Sequence, residues 1–144
     1  MLPAPLVKKL NDIFLPRAEL CSEMFRRSDE LETVVCFYGE GYGPKIQTGG
    51  KYRSDQSFVL FDIWINGWWL KRPDVESIAS QLGIKIVPII GHGRLTEMIE
   101  FVRKGFKSTW GDFEAEGIVA RPCVELHSRS GDRIITKLKC KDFK

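Results

Sequence analysis

Ser57-Phe58-Val59-Leu60-Phe61-Asp62-Ile63-Trp64-Ile65 is apolar at both parities of a two-residue repeat. A strand with one wet face alternates apolar and polar side chains, so this one is expected to be central and covered on both sides. Asp62 is its single charged residue. Strict alternation puts Phe61 with Val59, Ile63 and Ile65 on one face, and Phe58, Leu60 and Trp64 on the other.

Working outward, Thr33–Tyr38 is β-branched and aromatic and reads as a second strand. The glycine-rich run Gly39-Glu40-Gly41-Tyr42-Gly43-Pro44 is expected to end it as a loop. Upstream, Leu6, Leu10, Ile13 and Phe14 make an apolar stripe at helical spacing over residues 5–14. A further helical segment is expected from Ala18 to Arg27. Downstream, Pro73-Asp74-Val75 opens a helix to about Gly83, Lys85–Ile90 reads as a strand, and Arg94–Phe106 as a helix on Leu95, Met98, Ile99 and Val102. Strands are expected at Glu116–Ala120, Pro122–His127 and Arg133–Lys139, with Ser128–Asp132 as a hairpin turn between the last two. The order of elements is α+β, without the regular alternation of a doubly wound parallel sheet.

The 144 residues are one domain's worth, 43% hydrophobic and 28% charged, an ordinary globular composition far from disordered or collagen-like chains. No apolar run approaches the roughly 18 residues of a spanning helix, and Met1-Leu2-Pro3-Ala4-Pro5 lacks the basic and apolar regions of a leader. A cytoplasmic protein that does not contact membrane is expected. Cys21, Cys36, Cys123 and Cys140 form no CxxC pair, and with only His92 and His127 beside them no zinc spacing assembles. Free thiols are expected. Net charge is +3, but from Arg121 onward seven Lys/Arg stand against three acids, while the remainder holds 15 basic and 16 acidic groups. A basic end on a near-neutral body points toward phosphate, or else is a solvated edge.

Four places depart from plain core or plain surface. Lys137 and Lys139 recur at the strand period, with Ile135 and Lys141 on the same face, and can aim two cations at one polyphosphate. A solvent-facing edge guarded by lysines is the other reading. Glu116-Gly117 opens an apolar strand, leaving a carboxylate suited to a divalent cation at the sheet rim beside closely approached backbone. Gly39-Glu40-Gly41 puts an acid among glycines that let a ligand near the backbone. Phe61-Asp62 places a ring and an acid in the central strand.

Together these segments resemble a family. Phe37-Tyr38-Gly39-Glu40-Gly41-Tyr42-Gly43, Phe58–Ile63, Ala115-Glu116-Gly117-Ile118-Val119-Ala120-Arg121-Pro122 and Lys137-Leu138-Lys139 follow the order and rough spacing of the last four nucleotidyltransferase motifs of ATP-dependent RNA ligases of the phage nick-sealing type. The resemblance spans nearly the whole chain and implies antiparallel sheets with flanking helices around a nucleotide pocket. By the same resemblance Glu40 meets the ribose, Phe61 stacks on adenine, Glu116 helps hold the divalent cation, and Lys137 and Lys139 contact the phosphates. Arg121 falls where relatives carry a basic residue. Implied cofactors are ATP and Mg2+ or Mn2+, and the implied substrate is RNA with 5′-phosphate and 3′-hydroxyl ends.

One departure bears on activity. Relatives attack the α-phosphate with the lysine of a Lys-x-Asp-Gly motif, and no Lys-x-Asp-Gly occurs here. Only Lys8 and Lys9 precede the Gly-Glu motif. Residues 1–144 are therefore expected to be a partial adenylyltransferase domain, truncated at its start and inactive alone. The missing lysine is carried on a separate N-terminal fragment, or the start is misplaced, or the chain is a remnant. Alternatives are a noncatalytic nucleotide- or RNA-binding module, and the DNA ligase or capping-enzyme branch of the superfamily.

Overall fold

The computed structural model describes residues 2–26, 33–44, 46 and 55–143. The chain divides into two compact units, Met1–Val87 and Pro88–Lys144.

The first unit is built on β2, Ser57–Ile65, with the bounds its apolar run predicts. On one side it pairs antiparallel with β1, Val35–Tyr42. On the other it pairs antiparallel with β3, Trp68–Trp69, and parallel with β4, Lys85–Ile86. The expected antiparallel pairing forms, and the parallel β2–β4 pair makes this sheet mixed. Helix α1, Ala4–Phe14, starts one residue before the predicted stripe, and α2, Ala18–Met24, ends short of it. Arg27, the predicted end, lies outside the described residues. Helix α3, Arg72–Leu82, has Pro73 in its first turn and ends at Gly83, whose φ of 62° is the left-handed cap conformation glycine adopts cheaply.

The predicted alternation along β2 fails at Phe61. Tyr38 lies opposite Asp62 while Gly39 lies opposite Leu60, so Phe61 has no partner across the pair. This bulge reverses parity. Phe58 and Leu60 before it, and Ile63 and Ile65 after it, all join one apolar cluster with Val75, Ala79, Leu82 and Ile84. Phe61 is half-buried and does not join that cluster. On the opposite face lie Ser57, Val59, Asp62 and Trp64.

The run 39–44 does not end the strand. β1 continues through Glu40 to Tyr42 because its two glycines make room on the core face. A Cβ on Gly39 would collide with the Phe58 ring and the Val59 carbonyl, and one on Gly41 with the Leu6 side chain of α1. The space is used by the protein's own side chains. Phe14 of α1 meets Phe37 with ring centroids 5.2 Å apart, completing that layer.

In the second unit, helix α4 spans Leu95–Lys104, and Gly105 with φ 74° ends it before the predicted Phe106. Strand β5, Gly117–Ala120, pairs antiparallel with β6, Thr136–Lys139. Three expected strands are shorter or absent, β6 among them, since it starts at Thr136 rather than Arg133. β4 stops at Ile86 because Pro88 has no N–H to offer the ladder. Pro122–His127 makes no ladder, only an isolated bridge from His127 to Arg133. The turn 128–132 does form, closed by the Ser128 N–H donating to the Asp132 carbonyl at 2.8 Å, with Gly131 at φ 89°. It closes a loop between β5 and β6 rather than joining two long strands. No helix among the described residues is long and apolar enough to cross a membrane.

Candidate functional site

In the second unit, the Glu116 carbonyl accepts from the Cys140 N–H at 2.9 Å, fixing the residue at the mouth of β5. The register then sets Gly117 opposite Lys139 and Val119 opposite Lys137. A Cβ on Gly117 would run into the Leu138 carbonyl oxygen and come within 2.8 Å of the Lys139 Cα. Glycine at that position therefore permits the two backbones to approach as closely as they do.

The consequence is a three-charge cluster. Lys139 Nζ stands 3.3 Å and Lys137 Nζ 3.7 Å from the same Glu116 oxygen, Oε1. The Lys139 hydrogen bond, and then the charges of Lys137, Lys139 and Lys141, hold the Glu116 carboxyl below its ordinary range, although partial burial opposes them. The Glu116 and Lys137 side chains are more than half exposed, at 57% and 55%, so both remain open to a ligand. Two ammonium groups and one carboxylate leave a net positive spot, the sign a phosphate chain requires. Lys141 falls beyond β6, in the turn Cys140–Phe143.

Arg121 follows β5 and lies near a second anchored pair. Arg133 donates from Nε and an Nη to the two oxygens of Glu125 at 2.7 and 2.9 Å, a bidentate fork. That bond, with the charges of Arg133, Arg121 and His127 behind it, lowers the Glu125 carboxyl. Arg121 stood out in the sequence but the Arg133–Glu125 fork did not, because its partners meet only across the 128–132 turn. Among the described residues no three or more His, Cys, Asp or Glu side chains gather as a metal cage.

In the first unit, the strand register assembles the other predicted residues. Glu40 is opposite Val59 and Val59 is opposite Lys85, so Glu40 and Lys85 flank one cross-strand row. Since Gly39, Gly41, Leu60 and Ile86 belong to the core side, this row lies on the opposite face. Tyr38 and Asp62 make the next row and Trp64 and Trp69 the one after. Glu40 is exposed, whereas Asp62 is 7% exposed and Val59 5%, forming the floor. Lys85 and Trp69 were missed by motif reading, and Tyr38 stood inside the Phe37–Gly43 motif with no role assigned to it. The one available signal was Asn66-Gly67, a hairpin dipeptide that folds Trp69 back beside Trp64. The hollow of the first unit lined by Met24, Phe25, Asp74, Ser77, Ile78 and Gln81 contains none of the predicted site residues.

A model of the family described as RNA ligase matches residues 8–139. The chain belongs to the RNA ligase family. That match includes the Gly39-Glu40-Gly41 strand, the bulged β2 and the paired β5 and β6. A ligase-type α+β domain of antiparallel pairs and helices accords with the architecture above, and membership implies RNA as the substrate.

Proposed function

We propose that this RNA ligase domain binds ATP with Mg2+ or Mn2+, and that it does not by itself form the covalent adenylate. The observation that carries the reading is the Glu116, Lys137 and Lys139 cluster, with both ammonium nitrogens within 3.7 Å of one carboxylate oxygen. Lys137 and Lys139 counter the phosphate charge of ATP and of the bound AMP, where fixed cations act without the reorganisation that water needs. Arg121 adds a cation after the same strand. In the first unit, Glu40 accepts from the ribose hydroxyls and Phe61, held outside the apolar cluster by its bulge, stacks on adenine.

The donor set fits a divalent cation only in a particular way. Magnesium is commonly held by one or two carboxylates together with substrate phosphates and water. Glu116 supplies one carboxylate, and the nucleotide supplies the other oxygens. If bound there, such a cation would supply positive charge beside the nucleotide phosphates, with Glu116 holding it.

Adenylyl transfer forms a bond from a lysine nitrogen to the α-phosphorus, releases pyrophosphate and frees a proton from the amine. No Lys-x-Asp-Gly is present among the 144 residues. Lys137 and Lys139, both ion-paired to Glu116, are suited to hold phosphate rather than to attack it. The reading therefore assigns the nucleophile to another polypeptide segment, which completes a ligase acting on RNA 5′-phosphate and 3′-hydroxyl ends.

The test is incubation with α-labelled ATP and magnesium, alone and with candidate lysine-bearing fragments. Saturable ATP binding with no alkali-stable, acid-labile label on this chain is expected, and such a label on a complementing fragment supports the split enzyme. An alkali-stable, acid-labile adenylate on any lysine of this chain overturns the assignment. ATP binding with no fragment ever labelled favours a noncatalytic binding module, the reading that the missing motif supports.

A further inference from the structure

The face of the first unit that carries Glu40 continues past the proposed nucleoside contacts. Tyr38 is one two-residue step from Glu40 along β1 and sits opposite Asp62. Its ring lies 4.8 Å from that of Trp69, centroid to centroid, tilted by 55°. Tyr38 is 46% exposed, although it stands in the middle of a strand whose other face is core.

The pair is rigidly presented. Trp69 is fixed by its register opposite Trp64, and by the Leu70 N–H donating to the Ile63 carbonyl at 2.9 Å. The turn before it uses positive φ at both Asn66, 45°, and Gly67, 97°, as tight two-residue hairpins do. Asn66 also ties that turn to β1: its N–H donates to the Val34 carbonyl at 3.1 Å and its Oδ1 accepts from the Val34 N–H at 2.8 Å. Rigid aromatic rings that need no ordering on binding make economical contact surfaces.

We propose that Tyr38 and Trp69 form a stacking platform for an unpaired base of the RNA strand being joined. Every base has a π-face, so the exposed Tyr38 ring, backed by the half-buried Trp69, takes single-stranded RNA with little regard to sequence. The charge pattern suits the same occupant, since Lys85 stands on this face, opposite Val59 in the Glu40 row, where a neighbouring phosphate meets a cation. The proposal rests on the RNA ligase reading of the domain.

The probe is a short 5′-phosphorylated oligouridine, titrated against the full chain by fluorescence anisotropy. Tyr38→Leu and Trp69→Ala are each expected to weaken binding between about fivefold and about a hundredfold, the measured range for loss of one stacked base. Trp69→Phe should recover most of the affinity. Trp68→Ala should change nothing: Trp68 is opposite Ile65, on the core side of the sheet, and is 77% exposed. A strand of equal charge lacking bases should bind wild type no better than the intact strand binds Tyr38→Leu. Should Trp69→Ala fail to fold, Tyr38→Leu carries the result alone. ATP affinity of the same wild-type preparation keeps the two readings apart. Failure of wild type to bind ATP counts against the nucleotide assignment. ATP binding together with oligouridine affinity indifferent to Tyr38→Leu, or to loss of the bases, overturns the platform.

Discussion

Gly117→Ala tests whether the Glu116 cluster depends on the close approach of β5 to β6. The added methyl carbon would stand 2.8 Å from the Lys139 Cα and also strike the Leu138 carbonyl oxygen. Ordinary carbon–carbon contact begins near 3.5 Å, and both obstacles are backbone, so no rotamer change relieves them. β6 must retreat by at least roughly 0.7 Å at the register pair where Lys139 reaches Glu116, and further to clear the closer Leu138 carbonyl oxygen. Overpacking of this kind costs about 1–3 kcal/mol, which for a chain of this size corresponds to a fall of roughly 3–9 °C in melting temperature. The same retreat lengthens the 3.3 Å Lys139–Glu116 contact, so ATP affinity should fall with stability. Gly91→Ala is the matched control, because a Cβ there meets nothing within 4 Å. Thermal melts and ATP titrations of the three proteins provide the measurement. Gly117→Ala melting and binding ATP like wild type would refute the argument that this glycine holds the site together.

Two other outcomes are expected. Phe61→Leu should weaken ATP binding by roughly 1–3 kcal/mol, the scale of one base–aromatic stack, while leaving the melting temperature nearly unchanged; a depressed melt with unchanged affinity would return Phe61 to the core. The Glu116 carboxyl is lowered by its lysines, so the stability it contributes is present above the ordinary carboxyl value of 4.5 and is lost only as pH falls through the lower folded value. The small difference in melting temperature between wild type and Glu116→Gln should therefore hold steady from about pH 8 to about pH 5 and close below that. Closure between about pH 7 and 6 would mean that another group is titrating.

The elements legible in the sequence were those decided by local pattern. The bounds of β2 follow from its apolar run, α1 from its spacing, and α3 from Pro73 and Gly83 at its ends. The spacing of Lys137 and Lys139 anticipated two ammonium groups on one strand face, whereas their meeting at Glu116 depends on the β5–β6 register. Features that depend on distant partners were not legible. The parity change at Phe61 arises because β1 and β2 shift register where Gly39 accommodates Phe58, a contact 19 residues away in the chain by their numbering. The same glycines looked like a loop with space for a ligand, yet Leu6 of α1 and Phe58 take that space. Asn66-Gly67 is a different case. Its hairpin signal stood in the sequence between two apolar residues, and the short β3 it creates brings Trp69 to the face that bears Glu40.

The cooperation of Glu116, Lys137 and Lys139 at a phosphate-binding site is tested most directly by calorimetric titration of magnesium–ATP into wild type, Lys137→Ala and Lys139→Ala. Wild type should bind at a single saturable site, and each lysine variant about 10- to 100-fold more weakly, the worth of one charge-assisted hydrogen bond. A wild-type chain that takes up no ATP, or lysine variants that bind as tightly as wild type, would contradict the account.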